Sequence, residues 1–372
     1  MISQVQGHSG QPGRETGRAV LDLINFRMKT NPSLSWFLYA TLAVLASASA
    51  VSAEPAEQRL LNVSFGFTKD FFVDYNAWFA AKWKAETGHT VVIEQSHAAS
   101  GTQTQSVIAG RLQPDVVTLA GPGDFDAIAS SGLLAKDWRS EFPLGGSPYY
   151  SAVAFAVHTG NPKNIRDWAD LTTPGLVLVT SNPKGCGGGL WNYTAAYAHG
   201  LHANGGDETK ARAYVAAFYE NVPVCYLNQG KSGEAFFKDK RGDVLITYES
   251  FLLGLKDRPQ GAVAQAVYPA RSVEIELPVA VLRTFTEKRG TTALAEAYLR
   301  GLYTPEAQEL LAKHHFRPRV AEVAARVASR FPSIQLERGE AVFGSWARAS
   351  KEHFDDKGLF DEVYRGEVTA AK

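Results

Sequence analysis

Short apolar runs alternate with longer amphipathic stretches along most of the chain. Residues 60–65, 91–94 and 115–119 are apolar runs of strand length, and each leads into a polar or glycine-rich loop before a stretch with helical spacing. This alternation predicts α/β structure. Ligands of open α/β sheets bind at the loops that follow the strands, so we expect these three loops to border a binding site.

The same pattern continues after a change of direction in the middle of the chain. Residues 151–158 predict a strand that crosses into a second group of strands and helices, and residues 278–282 predict a strand that crosses back. We therefore predict two α/β lobes with a ligand cleft between them. The residues 54–150 and 278–372 are assigned to lobe 1, with a helical tail that packs on it, and residues 151–277 are assigned to lobe 2.

The first stretch of the chain differs from the rest. Arg27 and Lys29 precede a mostly apolar run, residues 34–50, that ends in small residues. A basic start, a short apolar run and a small-residue end are typical of a secretory signal peptide. We expect residues 28–53 to be that signal and residues 1–27 to be a gene-model extension upstream of the true start. The mature protein is then expected in the periplasm.

Composition narrows the class of partner. The 372 residues are 45% hydrophobic and 20% charged, and 38 basic residues balance 38 acidic ones. This composition is typical of a globular protein with two cores, and the zero net charge does not favour a nucleic acid or an anionic membrane as partner. No cofactor and no metal site is predicted.

A glycine-rich segment, residues 182–193, carries the first chemical signal. It reads Asn-Pro-Lys-Gly-Cys-Gly-Gly-Gly-Leu-Trp-Asn-Tyr and lies between a predicted strand and a predicted helix. Free N–H groups in the first turn of a helix point outward and favour an anion. The spacing matches neither a nucleotide P-loop nor a dinucleotide fingerprint. The segment predicts a cradle for a small anion, and a simple chain reversal is the alternative.

Several motifs spread over residues 60–364 carry a family resemblance. They include Leu60-Leu61-Asn62-Val63-Ser64, Asp115-Val116-Val117-Thr118-Leu119-Ala120, Asn182-Pro183-Lys184, Trp191-Asn192-Tyr193, Gly242-Asp243-Val244-Leu245-Ile246 and Phe316-Arg317-Pro318-Arg319. Together they resemble the periplasmic sulfate- and thiosulfate-binding proteins of ABC importers.

The resemblance implies a two-lobed periplasmic binding protein fold that closes on its ligand. In that family a dehydrated sulfate is held by backbone N–H groups at helix N-termini, a serine hydroxyl and a tryptophan indole. Sulfate at neutral pH only accepts hydrogen bonds, so a cage of donors suits it. The resemblance further implies a monomer without enzymatic activity that delivers its ligand to a membrane permease and its ATPase.

Carried over by position, the resemblance assigns eight residues to the ligand site. They are Gly66, Ser100, Gly101, Cys186, Gly187, Gly188, Gln229 and Tyr248. Four of these depart from the family pattern, because Gly66 replaces an aspartate, Cys186 a serine and Tyr248 the tryptophan, and the loop around Gln229 also differs. The departures lie where the ligand is expected. Two interpretations stay open: inorganic sulfate or thiosulfate still fits, or the site prefers an organosulfur compound, such as a sulfonate or sulfate ester, or another oxyanion.

Cys186 and Cys225 are the only two cysteines of the chain. An even number of cysteines in an exported protein favours a disulfide, and we predict one between them. Two alternatives are weaker. Cys186 as a nucleophile lacks an identifiable base, and a metal site lacks ligand spacing. A binding protein, a cysteine-dependent enzyme and a receptor-linked sensor are therefore the functional classes to compare.

Overall fold

A computed structural model describes residues 57–369 of the protein. The expected extension at 1–27 and the expected signal peptide at 28–53 lie outside the described residues. Within residues 57–369, no helix is both long and apolar enough to cross a membrane.

The described residues form strands and helices in alternation. The strands are β1 (Gln58–Phe65), β2 (Val91–Ala98), β3 (Val116–Thr118), β4 (Tyr149–His158), β5 (Leu178–Ser181), β6 (Val224–Tyr226), β7 (Val244–Tyr248), β8 (Ala264–Val267), β9 (Arg271–Leu277), β10 (Val279–Val281), β11 (Arg317–Pro318), β12 (Gln335–Arg338) and β13 (Glu367–Val368). The helices are α1 (Lys69–Thr87), α2 (Ser100–Ile108), α3 (Pro122–Ser130), α4 (Gly187–Ala203), α5 (Glu208–Glu220), α6 (Gln229–Phe237), α7 (Glu249–Leu253), α8 (Arg283–Arg289), α9 (Thr292–Gly301), α10 (Pro305–Lys313), α11 (Ala321–Val327), α12 (Gly339–Phe343), α13 (Trp346–Ala349) and α14 (Leu359–Val363).

The first lobe is built on a sheet with the strand order β10-β3-β1-β2. The strands β1, β2 and β3 are parallel, and β10 runs antiparallel to β3. Parallel strands place their carboxyl ends at one edge of a sheet, so the loops after β1, β2 and β3 lie side by side. This arrangement confirms the mixed α/β prediction for the N-terminal part of the chain.

The second lobe is built on a larger sheet with the order β12-β9-β4-β7-β5-β6-β13, and β8 and β11 also pair with β4. The central strand β4 runs antiparallel to β7 and β9, whereas β5 is parallel to both β6 and β7. The chain crosses back to the first sheet at Pro278, between β9 and β10. The fold is therefore the predicted two-lobed α/β architecture.

The C-terminal tail differs from the expectation that all of it packs on lobe 1. The helix α9 does so, because Tyr298 packs edge-to-face on Tyr75 of α1 at 5.1 Å. Farther along, β12 extends the second sheet beside β9, and β13 pairs with β6. The aromatic ring of Phe343 stacks on Tyr197 of α4 at 5.6 Å, which buries the tail against lobe 2. Residues from about 335 onward thus belong with the second sheet.

Candidate functional site

One cavity of about 400 Å³ lies where the strand ends of both sheets meet. Seven of the eight residues expected at the ligand site line it, namely Gly66, Ser100, Cys186, Gly187, Gly188, Gln229 and Tyr248. The eighth, Gly101, lines an adjoining cavity that also borders Cys186 and Gly187. The remaining lining residues were not among the eight assigned and are Phe65, Phe67, Ala98, Ala99, Ala120, Asn228 and Gly230.

The N-terminus of α4 forms one wall of the cavity. Cys186 is the N-cap residue with an extended backbone, its carbonyl accepts the first helical hydrogen bond from Leu190 N–H at 2.9 Å, and no acidic residue occupies the first turn. The N–H groups that begin this 17-residue helix therefore present partial positive charge that no acidic side chain of the turn offsets. This geometry agrees with the anion cradle expected from the sequence.

Close packing explains why glycine occupies the first turn of α4. A Cβ on Gly187 would lie 2.7 Å from the Cβ of Ala120, and a Cβ on Gly188 would lie 2.2 Å from Cγ of Gln229. The first contact comes from the loop after β3 in the other lobe, and the second comes from α6. A side chain at Gly187 would therefore overlap Ala120, and one at Gly188 would displace the side chain of Gln229.

The N-terminus of α2 forms the facing wall, with Ser100 in its first turn. The Ser100 hydroxyl donates to Asp124 Oδ2 at 2.6 Å and accepts from Ala120 N–H at 2.9 Å. Thr104 donates to the other oxygen of the same carboxylate at 2.7 Å. The one hydroxyl hydrogen of Ser100 is thus already donated to Asp124, a partner that the sequence analysis missed.

Asp124 is half-buried beside the cavity. Burial raises the pKa of this carboxyl group, and the hydrogen bonds from Ser100 and Thr104 oppose the shift. In the sequence, Asp124 follows a glycine-rich turn and looks like an ordinary helix-start residue. Only the folded chain shows that it bonds the predicted ligand serine.

The N-terminus of α6 supplies the third group of donors. Asn228 caps the helix by accepting from Lys231 N–H at 3.0 Å, and Gln229 follows as its first residue. The side-chain oxygen of Gln229 accepts from the hydroxyls of Ser181 at 3.2 Å and Ser232 at 3.0 Å. These two bonds orient the amide, and its nitrogen is buried without a hydrogen-bond partner among the described residues.

Tyr248 ends β7 and is 1% exposed. Its ring meets Phe67 edge-on at 5.3 Å between ring centres and also contacts Phe65. Burial raises the pKa of the phenol well above its usual value, so the hydroxyl is neutral at physiological pH. The residue can therefore donate a hydrogen bond, as an indole would, and can also accept one.

Cys186 carries a buried thiol at the centre of the site. Burial raises its pKa, although nearby backbone N–H groups of Gly188, Gly189 and Gln229 and the Ser181 hydroxyl act in the opposite direction. The net shift keeps the thiol protonated at neutral pH. A protonated thiol is a poor nucleophile, which counts against a cysteine-dependent reaction.

The expected disulfide is not formed in the structure, where Cys186 and Cys225 are both free and buried. Cys225 lies in β6, and its N–H donates to the Tyr364 hydroxyl at 2.7 Å. Burial raises its thiol pKa to about 12. The side chain of Cys225 borders the phenols of Tyr219 and Tyr364, whereas Cys186 borders the helix N-termini at the cavity. The two sulfurs thus occupy different surroundings.

Among the residues that the structure describes, no lysine or arginine lines the cavity. Lys184, the cation of the glycine-rich segment, is instead paired with Asp361 at 2.9 Å. Within residues 57–369 there is also no group of three or more histidine, cysteine, aspartate or glutamate side chains arranged to hold a metal. Backbone N–H groups and neutral side chains therefore dominate the lining.

Comparison with known proteins gives a consistent set of matches. The family of bacterial extracellular solute-binding proteins matches residues 76–317. The sulfate-binding protein of Escherichia coli K12 is 43% identical over 322 residues, which cover 87% of this chain and 97% of that protein. The thiosulfate-binding protein of Pseudomonas aeruginosa PAO1 is 39% identical over 328 residues, which cover 88% of this chain and 98% of that protein. The solved structure of the sulfate-binding protein SubI from Mycobacterium tuberculosis H37Rv superposes with a TM-score of 0.70 at 29% identity, covering 80% of this chain and 100% of that one.

Proposed function

Because the chain belongs to the family of bacterial sulfate- and thiosulfate-binding proteins, we propose that it is a periplasmic solute-binding protein for sulfate, thiosulfate or a related sulfur oxyanion. The ligand binds in the cavity between the two sheets. The protein then delivers it to a permease and ATPase of an ABC importer in the inner membrane.

One observation carries this proposal: the N-termini of α2, α4 and α6 line the cavity, and within residues 57–369 no lysine or arginine side chain does. A fully ionised sulfur oxyanion offers only acceptors, so helix N–H groups can bond every oxygen. Buried charge is tolerated only when such bonds are made.

The eight residues expected from the resemblance serve as ligand groups in this proposal. Gly187, Gly188 and Gln229 contribute backbone N–H groups from lobe 2, and Ser100 and Gly101 contribute the first turn of α2 from lobe 1. Cys186 and Tyr248 contribute a thiol and a phenol, and Gly66 leaves space beside them.

The proposal includes export and the absence of catalysis. Residues 28–53 act as the signal peptide, and the mature protein works as a monomer. The protonated state of Cys186 supports simple binding, since a nucleophile would need a base to remove that proton.

A panel of thermal melts tests the proposal directly. The purified protein is unfolded and refolded to remove carried ligand, and it is then heated with sulfate, thiosulfate, sulfite, molybdate or phosphate. A ligand present at about 100 times its dissociation constant adds about 2.7 kcal/mol to the free energy of unfolding. We expect sulfate or thiosulfate to raise the melting temperature. A rise with phosphate or molybdate alone would contradict the proposal.

A further inference from the structure

The side chain of Gln229 lies against the first turn of α4. A Cβ built on Gly188 would lie 2.2 Å from Cγ and 2.7 Å from Nε2 of Gln229. Both residues line the anion cavity. The amide that begins α6 is therefore held beside the N–H groups that begin α4, where an anion is favoured.

The nitrogen of this amide is a donor without an acceptor. Nε2 of Gln229 is buried, and it has no hydrogen-bond partner among the described residues. A buried donor left unbonded is unfavourable, and native structures usually supply a partner for it. A ligand that brings acceptor oxygens to the N-terminus of α4 would supply that partner. The unbonded nitrogen therefore points to a ligand contact by the side chain.

Two buried serines hold the other end of the amide. The hydroxyls of Ser181 and Ser232 donate to Oε1 of Gln229 at 3.2 and 3.0 Å, and the two hydroxyl oxygens lie 3.2 Å apart. Ser181 ends β5 and Ser232 lies in α6, so regular structure fixes both positions. The reversed amide would place Oε1 beside the ligand, where the oxygens of an anion would repel it.

We propose that the side-chain amide of Gln229 is a further ligand group, whose Nε2 donates to one oxygen of the bound oxyanion, and that Ser181 and Ser232 are positioning residues that act through this amide. The inference adds a side-chain donor to the backbone N–H groups assigned above, and it rests on the proposed function because it uses the same anion site. An amide held with its nitrogen toward the ligand favours a fully ionised oxyanion, since a ligand that must itself donate finds no acceptor on this side chain.

A set of variants tests both parts of the proposal by calorimetric titration of the ligand-stripped full chain with sulfate. Gln229→Met keeps the length of the side chain and removes the donor. A second variant combines Ser181→Ala with Ser232→Ala, and a third combines all three substitutions. Gln113→Met is the matched control, because Gln113 is exposed and precedes β3, at the end of this strand away from the cavity. Ligand-free melts check that each variant is folded.

The expected losses follow from the number of donors that remain. Gln229→Met should weaken sulfate binding roughly ten- to hundredfold, as expected for the loss of one hydrogen bond to a charged group. The paired serine variant should weaken it by roughly three- to tenfold, because the amide is no longer preorganised. Adding the serine substitutions to Gln229→Met should change the affinity by less than about twofold, since no amide remains to be oriented. Gln113→Met should bind sulfate as the wild type does.

Nuclear magnetic resonance of the wild type gives a readout that does not depend on how a variant folds. Among the described residues, Gln229 is the one glutamine that lines the cavity. In protein labelled with nitrogen-15 at glutamine, saturation with sulfate should move one side-chain amide proton downfield, because a hydrogen bond to a charged acceptor is short and strong.

The outcomes separate this inference from the proposed function. The ligand role of the amide is overturned if folded Gln229→Met binds sulfate within about twofold of the wild type, or if sulfate shifts no glutamine side-chain signal of the wild type. Losses that add up in the triple variant overturn the positioning role of the two serines, because they would then act independently of the amide. Failure of the wild type to bind either sulfate or thiosulfate overturns the proposed function and the inference together.

Discussion

At the scale of single residues, the site consists of neutral groups around the place for one anion. Tyr248 and Cys186 are both protonated because burial raises their pKa values. The Ser100 hydroxyl is engaged by Asp124 at 2.6 Å, so its hydrogen is shared with a carboxylate. The thiol is a weak donor and the serine hydroxyl is occupied, so the backbone N–H groups of the helix termini, together with the Tyr248 hydroxyl and the Gln229 amide, carry the proposed binding.

Replacing the thiol by a hydroxyl should strengthen this cage. A thiol is a weak donor, whereas a hydroxyl forms a full hydrogen bond with a charged acceptor. We expect the Cys186→Ser variant to bind sulfate about five- to tenfold more tightly, in line with a gain of about 1 kcal/mol from a bond to a charged group. Calorimetric titration with sulfate measures the change. The Cys186→Ala variant is the control, and equal affinities in the serine and alanine variants would show that residue 186 does not contact the ligand.

Seven of the eight residues expected from the sequence line one cavity, and the differences between expectation and structure have physical causes. Gly187 and Gly188 could be foreseen because they lie between a predicted strand and a predicted helix and because the family resemblance assigns backbone donors to those positions. Asp124 could not, since its contact with Ser100 joins residues on two different helices. The expected disulfide is not formed in the structure. The surroundings of Cys225 in β6 include Tyr364 of the C-terminal tail, and the sequence gives no sign of that packing.

At the scale of elements, a buried ion pair fastens β11 to the start of α7. Arg317 donates to both oxygens of Glu249, at 2.6 and 2.7 Å, and Glu249 is fully buried next to Tyr248. Arg317 also donates to the carbonyl of Pro332 at 2.6 Å. The pair therefore links α7, which directly follows the site residue Tyr248, to β11 in the C-terminal part of the chain.

Removing only one partner of this pair should be costly. The Arg317→Met variant leaves the carboxylate of Glu249 buried without its counter-ion, and such losses typically destabilise a protein by about 3–5 kcal/mol. Adding Glu249→Gln to that variant should restore most of the loss, because the uncompensated charge is gone. Urea unfolding of the wild type, both single variants and the double variant measures the coupling. The role assigned to this pair would be contradicted if the free energy of unfolding of each single variant differed from that of the wild type by less than about 1 kcal/mol.

Another buried contact makes the stability of the second lobe depend on pH. His353 accepts from or donates to the Tyr193 hydroxyl at 2.9 Å, and it is 2% exposed. Burial, with a smaller effect of Arg212, lowers the pKa of His353 to about 4. In the unfolded chain the pKa of a histidine is about 6.5, so the unfolded state binds more protons between pH 6.5 and 4. Stability should therefore fall as the pH drops through this window.

A glutamine at this position should remove that part of the pH dependence. Between pH 7 and pH 4 the free energy of unfolding should fall by about 3 kcal/mol less in the His353→Gln variant than in the wild type. Urea unfolding at both pH values measures it. The same acid loss in the His353→Gln variant and the wild type would contradict the assignment.

Elements with strong patterns were predicted well, and short edge strands were not. The apolar runs at 60–65 and 151–158 correspond closely to β1 and β4. The strands β12 and β13 have four and two residues and no apolar alternation, so nothing in the sequence marked them. They form by pairing with β9 and β6, which is a property of the folded sheet.

At the scale of the whole molecule, two sheets of different size share one cleft. The C-terminal tail contacts elements of the first lobe through α9 and then extends the second sheet through β12 and β13. The anion cavity lies among helix N-termini from both lobes, so a bound ligand would link the lobes to each other. Ligand binding should therefore favour a closed arrangement over an open one.

The central claim is that these helix termini bind a sulfur oxyanion without a cationic side chain. A calorimetric titration of the ligand-stripped protein with sulfate tests it most directly, repeated with thiosulfate in the same buffer at low and high concentrations of sodium chloride. The account predicts one ligand per chain, with an affinity that salt changes little, because buried hydrogen bonds rather than surface cations hold the ion. Absence of heat with either anion, or binding that is lost at high salt, would contradict it.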